Sequence, residues 1–160
     1  MFHTQESRSK LLTEPIKCFS SDAWLGIGYY FWEDITVAMR WGRDKKNKYR
    51  RFEIYEALIE SKSILDTVFN EKDYRFWLGL IEEVAKRFAR IGEKPTVKQV
   101  NDFFNEKGIW NEIEGILFQD IPTKEDYTLV IGLFYFKRIQ FVAYNLKIVK
   151  NFRLNSTHNI

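Results

Sequence analysis

The spacing of apolar residues changes period twice along this chain of 160 residues, and that change constrains the fold more than any single motif. Tyr74, Trp77, Leu78, Ile81, Val84, Ala85, Phe88 and Ile91 recur at steps of three and four, which predicts a helix from Glu71 closed by Gly92. Thr96-x-x-Gln99 is a capping-box pattern, in which each side chain accepts the other residue's free backbone N–H. It predicts a second helix with Val97, Val100, Phe103 and Phe104 inward and Gly108 as its stop. Outside this middle the chain has strand chemistry. Residues 1–5, 29–32 and 52–60 precede it, and Thr128–Phe136, 139–145 and 147–153 follow it. Strand-rich ends around a helical centre predict an α+β fold.

The pieces between these elements are short. Leu11-Leu12 are expected in a brief helical stretch before Pro15, residues 16–19 in an extended piece, and Ser20-Ser21-Asp22 in a turn. Asp34 is a natural N-cap for a helix presenting Ile35, Ala38 and Met39 on one face. Residues 1–153 read as one domain and 154–160 as a frayed polar tail. A hydrophobic fraction of 45% with 17% aromatics excludes a disordered chain. Cys18 is the only cysteine, so no disulfide forms within the chain, and with only His3 and His158 beside it no metal site is expected. The longest apolar run, Leu129–Phe136, is too short to span a bilayer, and the opening Met-Phe-His-Thr lacks the apolar core of a secretory signal. A cytoplasmic setting without a membrane partner is the expectation.

Gly26 and Gly28 stand directly before four aromatics, Tyr29-Tyr30-Phe31-Trp32. Lacking a Cβ, glycine lets the backbone turn sharply and approach a ligand. The segment resembles the Gly-x-Gly-x-Tyr-Phe motif of ADP-ribosyltransferases of the poly(ADP-ribose) polymerase and diphtheria-toxin type, with Gly26, Gly28, Tyr30 and Phe31 in the matching positions. Phe2-His3-Thr4-Gln5 is similar to that family's first motif, an apolar residue and His usually followed by Gly and Ser or Thr. Arg138 to Asn145, followed by Lys147–Lys150, looks like the strand pair carrying the third catalytic position. Ile54–Ile59 and Ile64-Leu65-Asp66 resemble a middle strand and the turn after it in small bacterial members. The three motifs occur in the family's order and span residues 2 to 150.

The resemblance implies an ADP-ribosyltransferase-like split β-sandwich with NAD between its halves and residues 71–107 as a helical insertion on one side. It implies a mono-ADP-ribosyltransferase that moves ADP-ribose from NAD to a macromolecular acceptor, protein or RNA or DNA, without a metal. His3, Tyr30 and Gln140 would form its catalytic set. Tyr30 would stack on the nicotinamide, while Tyr29 flanks the pocket or faces the core, because successive strand residues point to opposite faces. His3 would offer a ring N–H to a ribose hydroxyl, beside Thr4 and Gln5, with Trp24, Gly26 and Gly28 completing the cofactor-binding set. Gln140 stands where many members carry a glutamate that binds the 2′-hydroxyl of the nicotinamide ribose; glutamine keeps the hydrogen bond and loses the charge. Arg138, on the same strand face, is a phosphate ligand or a surface arginine.

The net charge of +3 is mild, with one dense basic run of Lys45, Lys46, Lys48, Arg50 and Arg51 around Tyr49. Such a run is a solvated loop, or a contact for the phosphates of NAD or of a nucleic acid. The small size looks like the toxin of a toxin–antitoxin or anti-phage defence system, with an antitoxin protein as partner. Two other readings are an inert NAD-binding or partner-recognition module of the same fold, supported by Gln140 and the variant His-Thr-Gln, and an NAD glycohydrolase with water as acceptor.

Overall fold

The chain begins and ends in one sheet. A computed structural model describes residues 1–20, 23–46 and 49–160; Ser21, Asp22, Asn47 and Lys48 lie outside the described residues, and with them most of the expected 20–22 turn and one lysine of the basic run. The strands are β1 (Phe2–Glu6), β2 (Tyr29–Trp32), β3 (Arg51–Ile59), β4 (Ile64–Asp66), β5 (Gly115–Gln119), β6 (Ile139–Ala143) and β7 (Val149–Asn159). The helices are α1 (Ile35–Lys45), α2 (Glu71–Ala89) and α3 (Val97–Glu106), so the class is α+β. The strand order is β4-β5-β6-β2-β1-β3-β7, antiparallel throughout except for the parallel pair β4–β5.

One seam in this sheet is thin. β1 and β2 pair at the single position Phe2↔Trp32, whereas β1 follows β3 from Phe2↔Glu56 to Glu6↔Phe52 and β2 follows β6 from Tyr29↔Ala143 to Trp32↔Gln140. The seam divides the sheet into a wing β4-β5-β6-β2 and a wing β1-β3-β7. Phe31, Leu117 and Phe141 of the first wing and Ala57, Val149 and Phe152 of the second form one cluster, so both wings share a core. On the opposite face, Trp32, Phe52 and Ile54 pack against α1, and Ile116 and Val142 pack against α2 and α3.

The local signals operate as physical chemistry requires. The Asp34 carboxylate accepts from Thr36 N–H at the start of α1, and Thr96 and Gln99 form the reciprocal capping box of α3. Gly92 and Gly108 take left-handed φ angles of 78° and 68° after α2 and α3. The buried face of α2 keeps Trp77, Ile81, Val84 and Phe88 of the expected stripe and gains Leu80. Trp77 and Val84 are buried with Leu80, Ile81 and Phe88 against the core, while Tyr74, Leu78 and Ile91 are exposed.

Several expectations are corrected. Leu11-Leu12 are irregular, not helical, and Ile64–Asp66 is a strand, not a turn. The segment 71–107 is the crossover between the parallel strands β4 and β5, a connection that cannot be made by a tight turn, and its helices supply much of the core. Thr128–Phe136 forms no strand. β5 and β6 pair directly from Gly115↔Ala143 to Gln119↔Ile139, so residues 120–138 form the connection between two neighbouring strands. Only the bridge Tyr127↔Tyr135 remains, with Leu129 and Ile131 fully exposed. Residues 154–159, expected as tail, continue β7 against β3 as far as Asn159↔Arg51, and His158 stacks on buried Phe52.

Removing residues 155–160 deletes the pairs from Ser156↔Ile54 to Asn159↔Arg51 and the stacked ring. At the usual range for a cross-strand pair the loss is about 1–3 kcal/mol. A urea melt of the shortened chain should show it as a lower midpoint, and an unchanged midpoint would mean that the tail is frayed after all.

Candidate functional site

The three motifs, distant in sequence, occupy the three neighbouring central strands β6, β2 and β1. Alternation along each strand then sorts their side chains. Tyr30, Trp32, Gln140 and Val142 share the face that bears the helices, since Tyr30 is opposite Val142 and Trp32 opposite Gln140. His3 lies on the other face, with its ring 5.5 Å from Phe31 and 5.9 Å from Phe152. The His3 ring is thus beside Phe31 of the second motif but on the face opposite the Tyr30 ring; it touches Tyr30 through the backbone.

That contact settles the histidine's protonation. Nε2 lies 3.3 Å from the backbone N–H of Ile16, which can only donate, so Nε2 carries no proton. Nδ1 must then bear it, donating to the Tyr30 carbonyl at 2.8 Å. Both ring nitrogens are engaged and the residue is only 4% exposed, so the N–H expected to serve a ribose hydroxyl is used within the fold. Burial is the main cause that lowers its pKa to about 4, and Lys46 adds to the effect while the bond to Tyr30 opposes it.

The other first-motif residues are also committed. The Thr4 hydroxyl donates to the Ala38 carbonyl at 3.0 Å and ties α1 to β1, and Gln5 Oε1 accepts from the N–H of Glu6. In the second motif, Gly26 has φ of 89°, and its carbonyl accepts from the Tyr30 hydroxyl at 2.7 Å. The Tyr30 ring packs on the cluster of Leu25, Trp110 and Val142, and burial pushes its hydroxyl pKa well above the usual value. Tyr29 lies on the opposite face, packed with the shared core of the two wings. Trp24 meets Phe118 edge-on at 4.8 Å, and its carbonyl accepts from Asn101. Gly28 has a packing reason: a Cβ there would lie 2.4 Å from Val142 Cγ1 and 2.9 Å from the Ala143 carbonyl oxygen.

The third motif carries the unsatisfied chemistry. Gln140 is 6% exposed, and among the described residues its Oε1 accepts no hydrogen bond. Arg138 is buried, not a surface arginine. Its Nη2 donates to Asp120 at 2.6 Å and its Nη1 to Asp126 at 3.3 Å, its guanidinium lies 5.3 Å from the Trp32 ring centre, and Nε is left without a partner. Asp126 also accepts from Arg40 at 2.5 Å and from Thr123, and Trp41 packs 5.6 Å from Trp32. Burial would raise both aspartates. It prevails at Asp120, which has few donors, and the bonds from Thr123, Arg40 and Arg138 together hold Asp126 below its ordinary value. Sequence reasoning missed Arg40, Trp41, Asp120 and Asp126 around this cluster. The one readable signal was Thr123-x-x-Asp126, itself a capping box.

No protein-family model matches the chain, and neither the curated proteins nor the solved structures contain a significant match. Among the described residues, no helix is long and apolar enough to cross a membrane.

Two measurements check this geometry. A histidine held neutral by the fold stabilises it above the unfolded pKa of about 6.5, and that stability is lost as pH falls toward 4, where the unfolded chain takes up the proton first. The full effect is about 3 kcal/mol, and His3→Gln should flatten the pH dependence of unfolding between those values. Gly28→Ala should lower stability without ligand by about 1–3 kcal/mol through overpacking. An undiminished melting temperature would return Gly28 to a purely ligand-directed role.

Proposed function

We propose that this chain is a mono-ADP-ribosyltransferase that moves ADP-ribose from NAD to a macromolecular acceptor, and that it serves as the toxin of a toxin–antitoxin or anti-phage defence system. The observation carrying the activity is the buried amide of Gln140 on the central strand β6, with a free acceptor oxygen, in register with Trp32 and beside Arg138. A buried carbonyl oxygen without a donor costs about 1–3 kcal/mol, and a ribose hydroxyl is a donor of the right kind. That β6, β2 and β1 carry the three family-like motifs side by side supports the same reading.

In the proposed reaction the bond between the nicotinamide nitrogen and ribose C1′ breaks, its electron pair leaving with nicotinamide. A nucleophile of the acceptor bonds to C1′ and its proton passes to solvent. Gln140 would orient the ribose through Oε1. Arg138 and Arg40, their charges met by Asp120 and Asp126, would brace the site, and Trp32 and Trp41 would give it an apolar wall. An amide stabilises the developing cation less than a carboxylate by about 3 kcal/mol, by analogy with the loss of one preorganised contact. The reading therefore favours transfer of single units over chain extension.

A second reading, an inert NAD-binding or partner-recognition module, is favoured by one specific finding: His3 Nδ1–H and the Thr4 hydroxyl are already spent on backbone carbonyls. Turnover of labelled NAD in cell extract separates the two. The transferase predicts consumption that Gln140→Ala lowers about a hundredfold, as for one deleted transition-state contact, and that Gln140→Glu retains or raises. Binding without consumption identifies the inert module, free ADP-ribose as the sole product identifies a hydrolase, and indifference to both substitutions removes Gln140 from the site.

A further inference from the structure

The segment leaving β1 does not return straight to the sheet. Residues 8–17 arch over the face that holds His3, tied down by Leu12 N–H to the Tyr55 hydroxyl at 3.1 Å and by Ile16 N–H to His3 Nε2. Between this strap and Tyr29 lies a cavity of about 550 Å³, within the range of small-molecule and nucleotide sites. Its wall includes Tyr29, Thr13 and Pro15, and among the described residues its charged groups are Arg8, Lys10 and Lys17, with Glu14 as the only acid lining it. Lys17 Nζ stands between two rings, 5.9 Å from Tyr29 and 5.8 Å from the exposed ring of Phe19.

The strap over the cavity starts beside a second group of cations. Ser7 N–H donates to the Arg51 carbonyl at 3.2 Å, so the strap departs next to the end of β3. There the ends of α1 and β3 supply Arg43, Lys45, Lys46, Arg50 and Arg51. Among the described residues, none of these cations, nor Arg8, Lys10 or Lys17, forms a salt bridge, although Arg40, Arg75, Lys98, Arg138 and Arg153 all do. The acids nearby in sequence are Glu6, Glu14, Asp22 and Asp44, with Glu53 buried beneath the hydroxyls of Ser7 and Tyr55. The chain carries 25 basic and 22 acidic residues, so this concentration is local and not a consequence of net charge.

Unpaired cations around an aromatic-walled cavity are the two components of single-strand recognition: an electrostatic track for phosphates and a ring on which an unpaired base stacks. A duplex keeps its bases stacked inside and would leave the cavity unused. We infer that the cavity under residues 8–17 and the cations of α1 and β3 form a binding surface for single-stranded nucleic acid, with phosphates on Arg8, Lys10, Arg50 and Arg51 and a base against Tyr29. If the transferase reading holds, this strand is its acceptor, but the surface itself is independent of NAD.

Fluorescence anisotropy of the full chain, without NAD, tests this with labelled oligo-U RNA, oligo-dT DNA and a duplex of the same length. Both single strands, or one of them, should bind more tightly than the duplex, with log affinity falling by about 0.7 per phosphate contact for each decade of salt. Arg8→Glu with Lys10→Glu, and Arg50→Glu with Arg51→Glu, should each lower affinity about tenfold or more and make that slope shallower. Charge reversal at Arg75 and Lys86 on α2 should change neither. Tyr29→Ala should weaken binding and leave the slope alone, with circular dichroism confirming that each variant is folded. No binding at low salt, preference for duplex, or equal losses from the α2 control overturns the inference. A chain that consumes NAD but binds no strand leaves the transferase reading standing. One that binds the strand and never consumes NAD removes that reading and keeps this surface.

Discussion

The joint between β1 and β2 is held by one register pair and one side chain. Phe2↔Trp32 is the only ladder position, and His3 adds Nδ1–H to the Tyr30 carbonyl from one strand to the next. The same ring accepts from Ile16, so three segments distant in sequence meet on one imidazole. Both wings contribute to one core beside this joint through Phe31, Phe141, Ala57 and Phe152. Protonating His3 would remove its acceptor at Nε2 and place a charge among Phe31 and Phe152, which is why burial holds it neutral.

The polar groups near the joint fall into two kinds. Those of the first two motifs are satisfied by backbone: Thr4 by Ala38, Tyr30 by Gly26, His3 by Tyr30. Those of the third motif are not, since Gln140 Oε1 and Arg138 Nε are buried and unmatched among the described residues. A fold that leaves an acceptor and a donor orphaned two residues apart on one strand face forgoes stability there, and it places that deficit beside Trp32 and two arginines. The buried pairs Arg138–Asp120, Arg138–Asp126 and Arg40–Asp126 hold the β5–β6 connection to α1. Losing one partner would leave an uncompensated buried charge.

The same connection shows where reading by composition stops. Leu129 to Phe136 has the side chains of a strand, but a strand needs a neighbour, and the adjacent ladder is complete without it. Conversely, the tail from Asn155 has polar side chains and no apolar alternation, yet the free edge of β3 pairs with its backbone. Hydrogen-bonding opportunity, a property of the assembled sheet, overrode side-chain preference in both places.

What the sequence determined by itself is local: the helices from Glu71 and Thr96, their glycine stops, the Asp34 cap, and the strands around residues 3, 30 and 140. Each depends on residues within a few positions of one another, through periodicity, capping and φ angles. The candidate site was legible to the extent that His3, Tyr30 and Gln140 lie on neighbouring strands. Which way each side chain points was decided only by the tertiary structure, because β1 meets β2, and β2 meets β6, in registers that set His3 against Phe31 and Tyr30 opposite Val142. The partners of Arg138, from Asp120 to Arg40, were illegible for the same reason. Ion pairs across separate elements leave no periodic trace, and they exist only once α1 and the β5–β6 connection have been brought together.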